Sequence, residues 1–163
     1  MALELPTIKR MSLSYNVDED RVILVGELMT GRVVPLILTQ RLLNQLVPHL
    51  LKAADSLSVS GPPVGSDVEE TSQDNNAPVE VKDLSSSILV TAVDVTKASG
   101  CLVLDWMNNG KDKKVRLVLD QSSLNPWLTA VKQCFVRGSW SVKAWHSQLP
   151  IELKDDGKSF TVH

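Results

Sequence analysis

Val34-Pro-Leu-Ile-Leu-Thr-Gln-Arg-Leu-Leu-Asn44 is answered later in the chain by Val115-Arg-Leu-Val-Leu-Asp-Gln-Ser-Ser-Leu-Asn125. Six of the eleven positions are identical: Val34 with Val115, Leu36 with Leu117, Leu38 with Leu119, Gln40 with Gln121, Leu43 with Leu124 and Asn44 with Asn125. Ile37 and Val118 are both strand formers, and Thr39 and Asp120 both suit a helix N-cap. Self-similarity of this kind marks a repeated structural unit.

The surroundings of the two copies extend the repeat. Arg21–Thr30 meets Gly31 and then Arg32–Leu38, while Cys101–Met107 meets Asn108-Asn-Gly110 and then Lys113–Leu119. Both read as hairpins, and Asn109-Gly110 is a strong tight-turn signal. A further strand precedes each hairpin, Lys9–Val17 before Asp18-Glu-Asp20 and Ser87–Val95 before Ala98-Ser-Gly100. Each unit therefore reads strand, strand, strand, helix.

The helices follow from apolar spacing. Leu42, Leu43, Leu46, Val47, Leu50 and Leu51 lay one stripe along the first, and Leu124, Trp127, Leu128, Val131, Cys134 and Phe135 lay one along the second. Thr39 is the expected N-cap of the first, in which Pro48 should produce a kink. Asn125-Pro126 reads as N-cap and first helical residue of the second, so its regular part is expected to begin there. Gly138 is the expected C-cap.

Between the units the composition changes. From Asp55 to Asp83 the chain has Pro62, Pro63 and Pro78, no aromatic residue, and only isolated aliphatics. Such a stretch buries too little apolar surface to offset the entropy of ordering, so it is expected to be a disordered linker. Seven acidic residues against Lys82 give it −6, which leaves 16 bases against 12 acids, or +4, in the rest. The expected organisation is a first βββα repeat over 1–54, a flexible acidic linker over 55–83, a second repeat over 84–138 and an extended tail or hairpin over 139–163. The fold class is α+β: two antiparallel three-stranded sheets, each followed by a helix, packed as one pseudo-symmetric domain, since neither unit alone is large enough to be comfortable.

Several function classes are disfavoured. Arg21, Glu27, Arg32 and Arg41 interrupt the most hydrophobic region, so no run approaches the roughly 18 apolar residues of a membrane span. Glu4 and Pro6 stand where a secretory signal needs a basic start and an apolar stretch, which makes a cytoplasmic protein the expectation. Cys101 and Cys134 lie among apolar neighbours and read as buried thiols; His49, His146 and His163 lack metal-ligand spacing. No Gly-x-Ser-x-Gly elbow, phosphate loop or dinucleotide fingerprint occurs, so neither a catalytic residue nor a cofactor is expected.

Two sets of residues remain as candidate sites. Trp140 and Trp145, with Arg137 and Lys143 interleaved, resemble the anchors of protein interfaces. Lys111, Lys113, Lys114 and Arg116 form a basic patch at a hairpin, which a solvated surface explains as well as phosphate binding does. The expected function is a non-catalytic protein–protein interaction or assembly module that self-associates as a homodimer or other homo-oligomer. The alternative is a single-stranded nucleic-acid or regulatory binding protein, disfavoured because the strands supply only Tyr15 and Trp106 as aromatics. An enzyme of unrecognised type comes third.

Overall fold

The computed structural model describes residues 4–59, 86–108, 112–145 and 159–162. Strands β1 (Ile8–Asn16), β2 (Arg21–Leu28) and β3 (Val33–Leu38) lead into helix α1 (Gln40–Val59). Strands β4 (Ile88–Leu89), β5 (Ala92–Ala98), β6 (Cys101–Asn108) and β7 (Asp112–Asp120) lead into helix α2 (Gln121–Arg137). A single 3-10 turn (Lys143–Trp145) and strand β8 (Ser159–Val162) follow. The strands form two four-stranded sheets, in the orders β1-β2-β3-β4 and β7-β6-β5-β8.

Alternation explains the inner faces. In the first sheet Val22 pairs with Leu38, Leu24 with Leu36 and Gly26 with Val34. In the second, Leu102 pairs with Leu119, Leu104 with Leu117 and Trp106 with Val115. All the aliphatic members of these rows, and Trp106, are buried in one cluster with the apolar stripes of both helices. Leu43, Leu46, Val47 and Leu50 of α1 and Val131 and Phe135 of α2 are wholly enclosed there. The opposite face of the first sheet carries a separate small cluster of Ile23 and Val25, with Val33 and Ile37 packed against it.

Each sheet has one strand more than the three expected. The stretch read as one strand over Ser87–Val95 is divided by a change of sheet: the Val90 N–H donates to Ile37 O at 3.0 Å, and the Thr91 N–H donates to Met107 O at 2.9 Å. The chain thus adds β4 to the first sheet, parallel to β3, and one residue later enters the second. Strand β8 pairs antiparallel with β5, where a terminal hairpin was expected. In both cases the additional strand covers a backbone edge that three strands would leave open.

The helix boundaries also differ from the sequence reading. Helix α1 runs through Val59, so the first residues read as linker are helical. The remainder of that linker, like the Asn109-Gly110 turn and most of the tail, lies outside the described residues. At the other helix the expected start at Asn125-Pro126 is superseded. Asp120 accepts from the Ser123 N–H at 2.8 Å while Ser123 Oγ accepts from the Asp120 N–H at 2.9 Å, a reciprocal cap that starts α2 at Gln121. Pro126 sits inside the helix, exposed beside solvent that can satisfy the backbone carbonyl it leaves free. Thr39 does cap α1, accepting from the Leu42 N–H at 3.2 Å.

Candidate functional site

The tryptophans singled out from sequence lie where α2 ends. Trp140 is buried, and its Nε1 donates to Asp20 Oδ1 at 2.7 Å. The Tyr15 hydroxyl donates to the same carboxylate oxygen, and the Tyr15 ring meets Trp140 edge-on with centroids 5.7 Å apart. Trp145 is half-buried against Phe135 (5.8 Å, edge-on), with the Lys132 ammonium 5.9 Å from its ring centroid. Arg137 and Lys143 are exposed at the helix end and in the 3-10 turn. The aromatic cluster ties the β1–β2 turn to the end of α2, across the two halves of the chain.

That tie responds to pH in a fixed direction. Hydrogen bonds from Tyr15 and then Trp140 hold the Asp20 carboxyl below the usual carboxylate range. A depressed native value means that Asp20 contributes stability above its unfolded pKa and loses it as pH falls through the native one. Tyr15 is raised, first by its bond to Asp20, so its contribution is lost only as pH climbs past the ordinary phenol range. Thermal unfolding between pH 5 and pH 3 should therefore be steeper in pH for the native chain than for Asp20→Asn, and parallel curves would contradict the assignment.

The basic patch is divided by the fold. Arg116 donates through Nε to Asp105 Oδ1 at 2.7 Å and through an Nη to Oδ2 at 3.0 Å, a bidentate pair that raises the guanidinium pKa. Asp105 is only 3% exposed, so its charge depends on that partner. The Arg116 N–H also donates to Pro6 O at 2.8 Å, beside a parallel bridge between Thr7 and Arg116. Arg116 therefore fastens the start of β1 to β7. Lys114 is exposed, Lys113 lies in β7, and Lys111 and His146 are outside the described residues.

Thr7–Arg116 is the one bridge between the start of β1 and β7 among the described residues. β1 is the end strand of one sheet and β7 the end strand of the other, and neither has a further strand beyond it among the described residues. Helix α2, which packs against both, closes the space between them from behind. The result is a groove of about 380 Å³. Ile8, Met11 and Leu13 line one wall, Leu117 and Leu119 the other, and Trp127 and Ala130 of α2 also line it. Lys9 and Arg10 stand at the β1 side, Arg10 paired with Glu27 at 2.7 Å. Trp127 is 3% exposed, and its indole N–H meets no acceptor among the described residues.

Sequence reasoning placed the strands and the helix that build this groove but not the groove itself. It arises from the meeting of β1 with β7, and the repeat pairs each strand only with neighbours in its own unit. The one available signal was that an end strand must be either covered or used.

Elsewhere, the described residues contain no group of three or more His, Cys, Asp or Glu placed to hold a metal ion. Both cysteines are free thiols; Cys101 is half-buried, and burial raises the pKa of Cys134, the reverse of what a nucleophile needs. No described helix is long and apolar enough to cross a membrane. Comparison of the chain with protein-family models, curated proteins and solved structures finds no match, so what the groove does is argued from its own residues.

Proposed function

We propose that this chain is a non-catalytic protein–protein interaction module whose docking site is the groove between β1 and β7. The observation that carries this reading is an apolar groove walled by the end strands of the two sheets and floored by α2. An elongated apolar lining between two strands offers burial along an extended surface, which suits another polypeptide better than a small polar ligand. Self-association is the version of this reading in which a second copy supplies the occupant.

We also infer that the scaffold arose by duplication of a βββα unit and is pseudo-symmetric. Support comes from the position of the identities: Val34, Leu36 and Leu38 occupy the same inward rows as Val115, Leu117 and Leu119. Leu43 and Leu124, at matching places on the two helices, are both buried.

Interaction is tested by capturing partners from the source extract with three forms of the tagged chain. Ala130→Arg places a long charged side chain in the groove, while Val136→Arg alters an exposed residue of the same helix that does not line it. Partners held by the native chain and by Val136→Arg but lost from Ala130→Arg are the expected result. Partners indifferent to Ala130→Arg would place any interaction elsewhere. Sedimentation of the same three forms reports whether the occupant is a second copy.

A further inference from the structure

We propose that a second copy of this chain is a partner taken by exchange of halves: the first unit of one copy, up to Val59, seats on the second unit of another, from Ser86 onward. The inference goes beyond the groove reading and does not use the groove.

The backbone contacts between the two units are reciprocal. Just before β5, the second unit lays β4 parallel to β3 of the first, with Ile88 beside Leu36 and Leu89 beside Ile37. Just before β1, the first unit lays Thr7 parallel to Arg116 in β7 of the second. Each crossing segment is then bonded back to its own unit: the Thr91 N–H donates to Met107 O at 2.9 Å, and the Met29 N–H donates to Thr7 O at 3.0 Å. Each unit thus lends a short segment to the sheet of the other, as two separate chains do when they exchange strands.

Side chains repeat the arrangement. Helices α1 and α2 pack on each other, and the inward rows of both sheets share one apolar cluster. At the far end of α2, Trp140 of the second unit donates through Nε1 to Asp20 of the first at 2.7 Å, and the Tyr15 ring meets the same indole edge-on. None of these contacts uses the residues that join the units. An exchanged pair therefore keeps every one of them, and the only difference between the two arrangements lies in the tether.

The tether is long enough for either. Helix α1 has 20 residues, so it is about 30 Å long, and it starts beside the part of β3 that β4 joins. The chain therefore leaves the first unit on the order of 20–30 Å from where it enters the second. Residues 60–85 can span about 90 Å when drawn out, so they reach the second unit of a neighbouring copy as well as their own. A tether of this kind favours closure within one chain until the concentration of copies passes on the order of 1 mM. Exchange shows itself at lower concentration wherever the closed form is weakened.

All four tryptophans lie in the second unit, and Trp140 touches the first, so indole emission reads the docking of one unit on the other. Two full-length variants each spoil one unit: Leu46→Arg in the first and Val131→Arg in the second, both at wholly enclosed positions. Alone, each should lose the native emission. Mixed in equal amounts they should regain up to about half of the native amplitude and sediment as a dimer, because the sound first unit of one chain meets the sound second unit of the other. A spoiled chain can also aggregate, so the otherwise native chain supplies a second measurement. Cut at a protease site inserted between Val59 and Ser86, it should elute as one species, and its pieces, parted in urea, should recover the native emission together and not singly. No regain from the mixed variants overturns the second copy as partner. Pieces that separate on cutting, or that do not recombine, overturn the reciprocal recognition beneath it. The groove is decided separately: partners lost from Ala130→Arg without rescue between the two variants leave the groove reading alone standing, and rescue with partners indifferent to Ala130→Arg leaves the exchange alone.

Discussion

Phe135→Ala should lower the unfolding free energy by about 3–5 kcal/mol, the largest loss expected of any single truncation described here. Phe135 is fully enclosed. It holds Trp140 edge-on at a centroid distance of 5.1 Å and Trp145 at 5.8 Å. Deleting the ring leaves a cavity under two indoles and removes two aromatic contacts, each contributing about 0.5–1.5 kcal/mol beyond area burial. A domain of this size is stable by only about 5–15 kcal/mol, so the variant should retain between most and little of its fold. In urea the midpoint should fall by about 2 M at an unchanged slope near 2 kcal/mol per M. Phe135→Leu should retain most of the lost stability, which separates the cavity from a general intolerance of substitution. A loss below about 1 kcal/mol for Phe135→Ala would mean that the aromatic cluster does not close the core.

Gly138→Ala should cost about 1–3 kcal/mol, for a steric reason. Gly138 ends α2 with φ −80° and ψ −2°, a conformation open to any residue. The left-handed residue that follows the helix is Ser139, with φ 53°. What forbids a side chain at 138 is proximity: a Cβ would lie 2.8 and 2.9 Å from Cε2 and Cζ of Tyr15 and 3.0 Å from Trp140 Nε1. Tyr15 cannot simply swing away, because its hydroxyl is bonded to Asp20 and its ring rests on Trp140. The added methyl must therefore push apart the contact between the β1–β2 turn and the end of α2. Removing the obstacle provides the check: measured on a Tyr15→Leu background, the Gly138→Ala penalty should shrink to a few tenths of a kcal/mol. An undiminished penalty would show that the glycine is needed for its backbone.

The contrast at Gly138 shows how far sequence carries. The position was legible as a helix end from the glycine and the preceding apolar stripe, but the reason for a glycine was not, because Tyr15 is more than a hundred residues away. Strands β1, β2, β3, β6 and β7 were legible within a residue or two, since inward aliphatics alternate along each and turn residues separate them. The division of Ser87–Val95 was not legible. A continuous run such as Ile88-Leu-Val-Thr-Ala-Val93 carries no local mark of where the backbone leaves one sheet for the other, and only the acceptors at Ile37 and Met107 fix it.

The start of α2 was misjudged at Asn125-Pro126 because proline at a first helical turn is a strong local signal. The reciprocal bonds of Asp120 and Ser123 outweighed it. The same limit applies to Trp140. Its residue type suggested an interface anchor, while its burial and its hydrogen bond to Asp20 depend on a tertiary contact invisible to composition. The groove belongs to this class as well, since its lining residues other than Ile8 and Ser123 were readable as strand or helix and only the meeting of β1 with β7 brings them together.

The claim on which the functional account depends is that the edges of β1 and β7 are open in the isolated chain. Amide hydrogen exchange followed residue by residue by NMR tests it directly, on the full chain at a concentration where sedimentation shows a monomer. The amides of β1 that point towards β2 should be protected, and those between Lys9 and Leu13 that point away should exchange at near solvent rates. Those same amides should become protected when a partner is added. Uniform protection along β1 in the free monomer would mean that the edge is already covered, and the groove would then have no ladder to offer a partner.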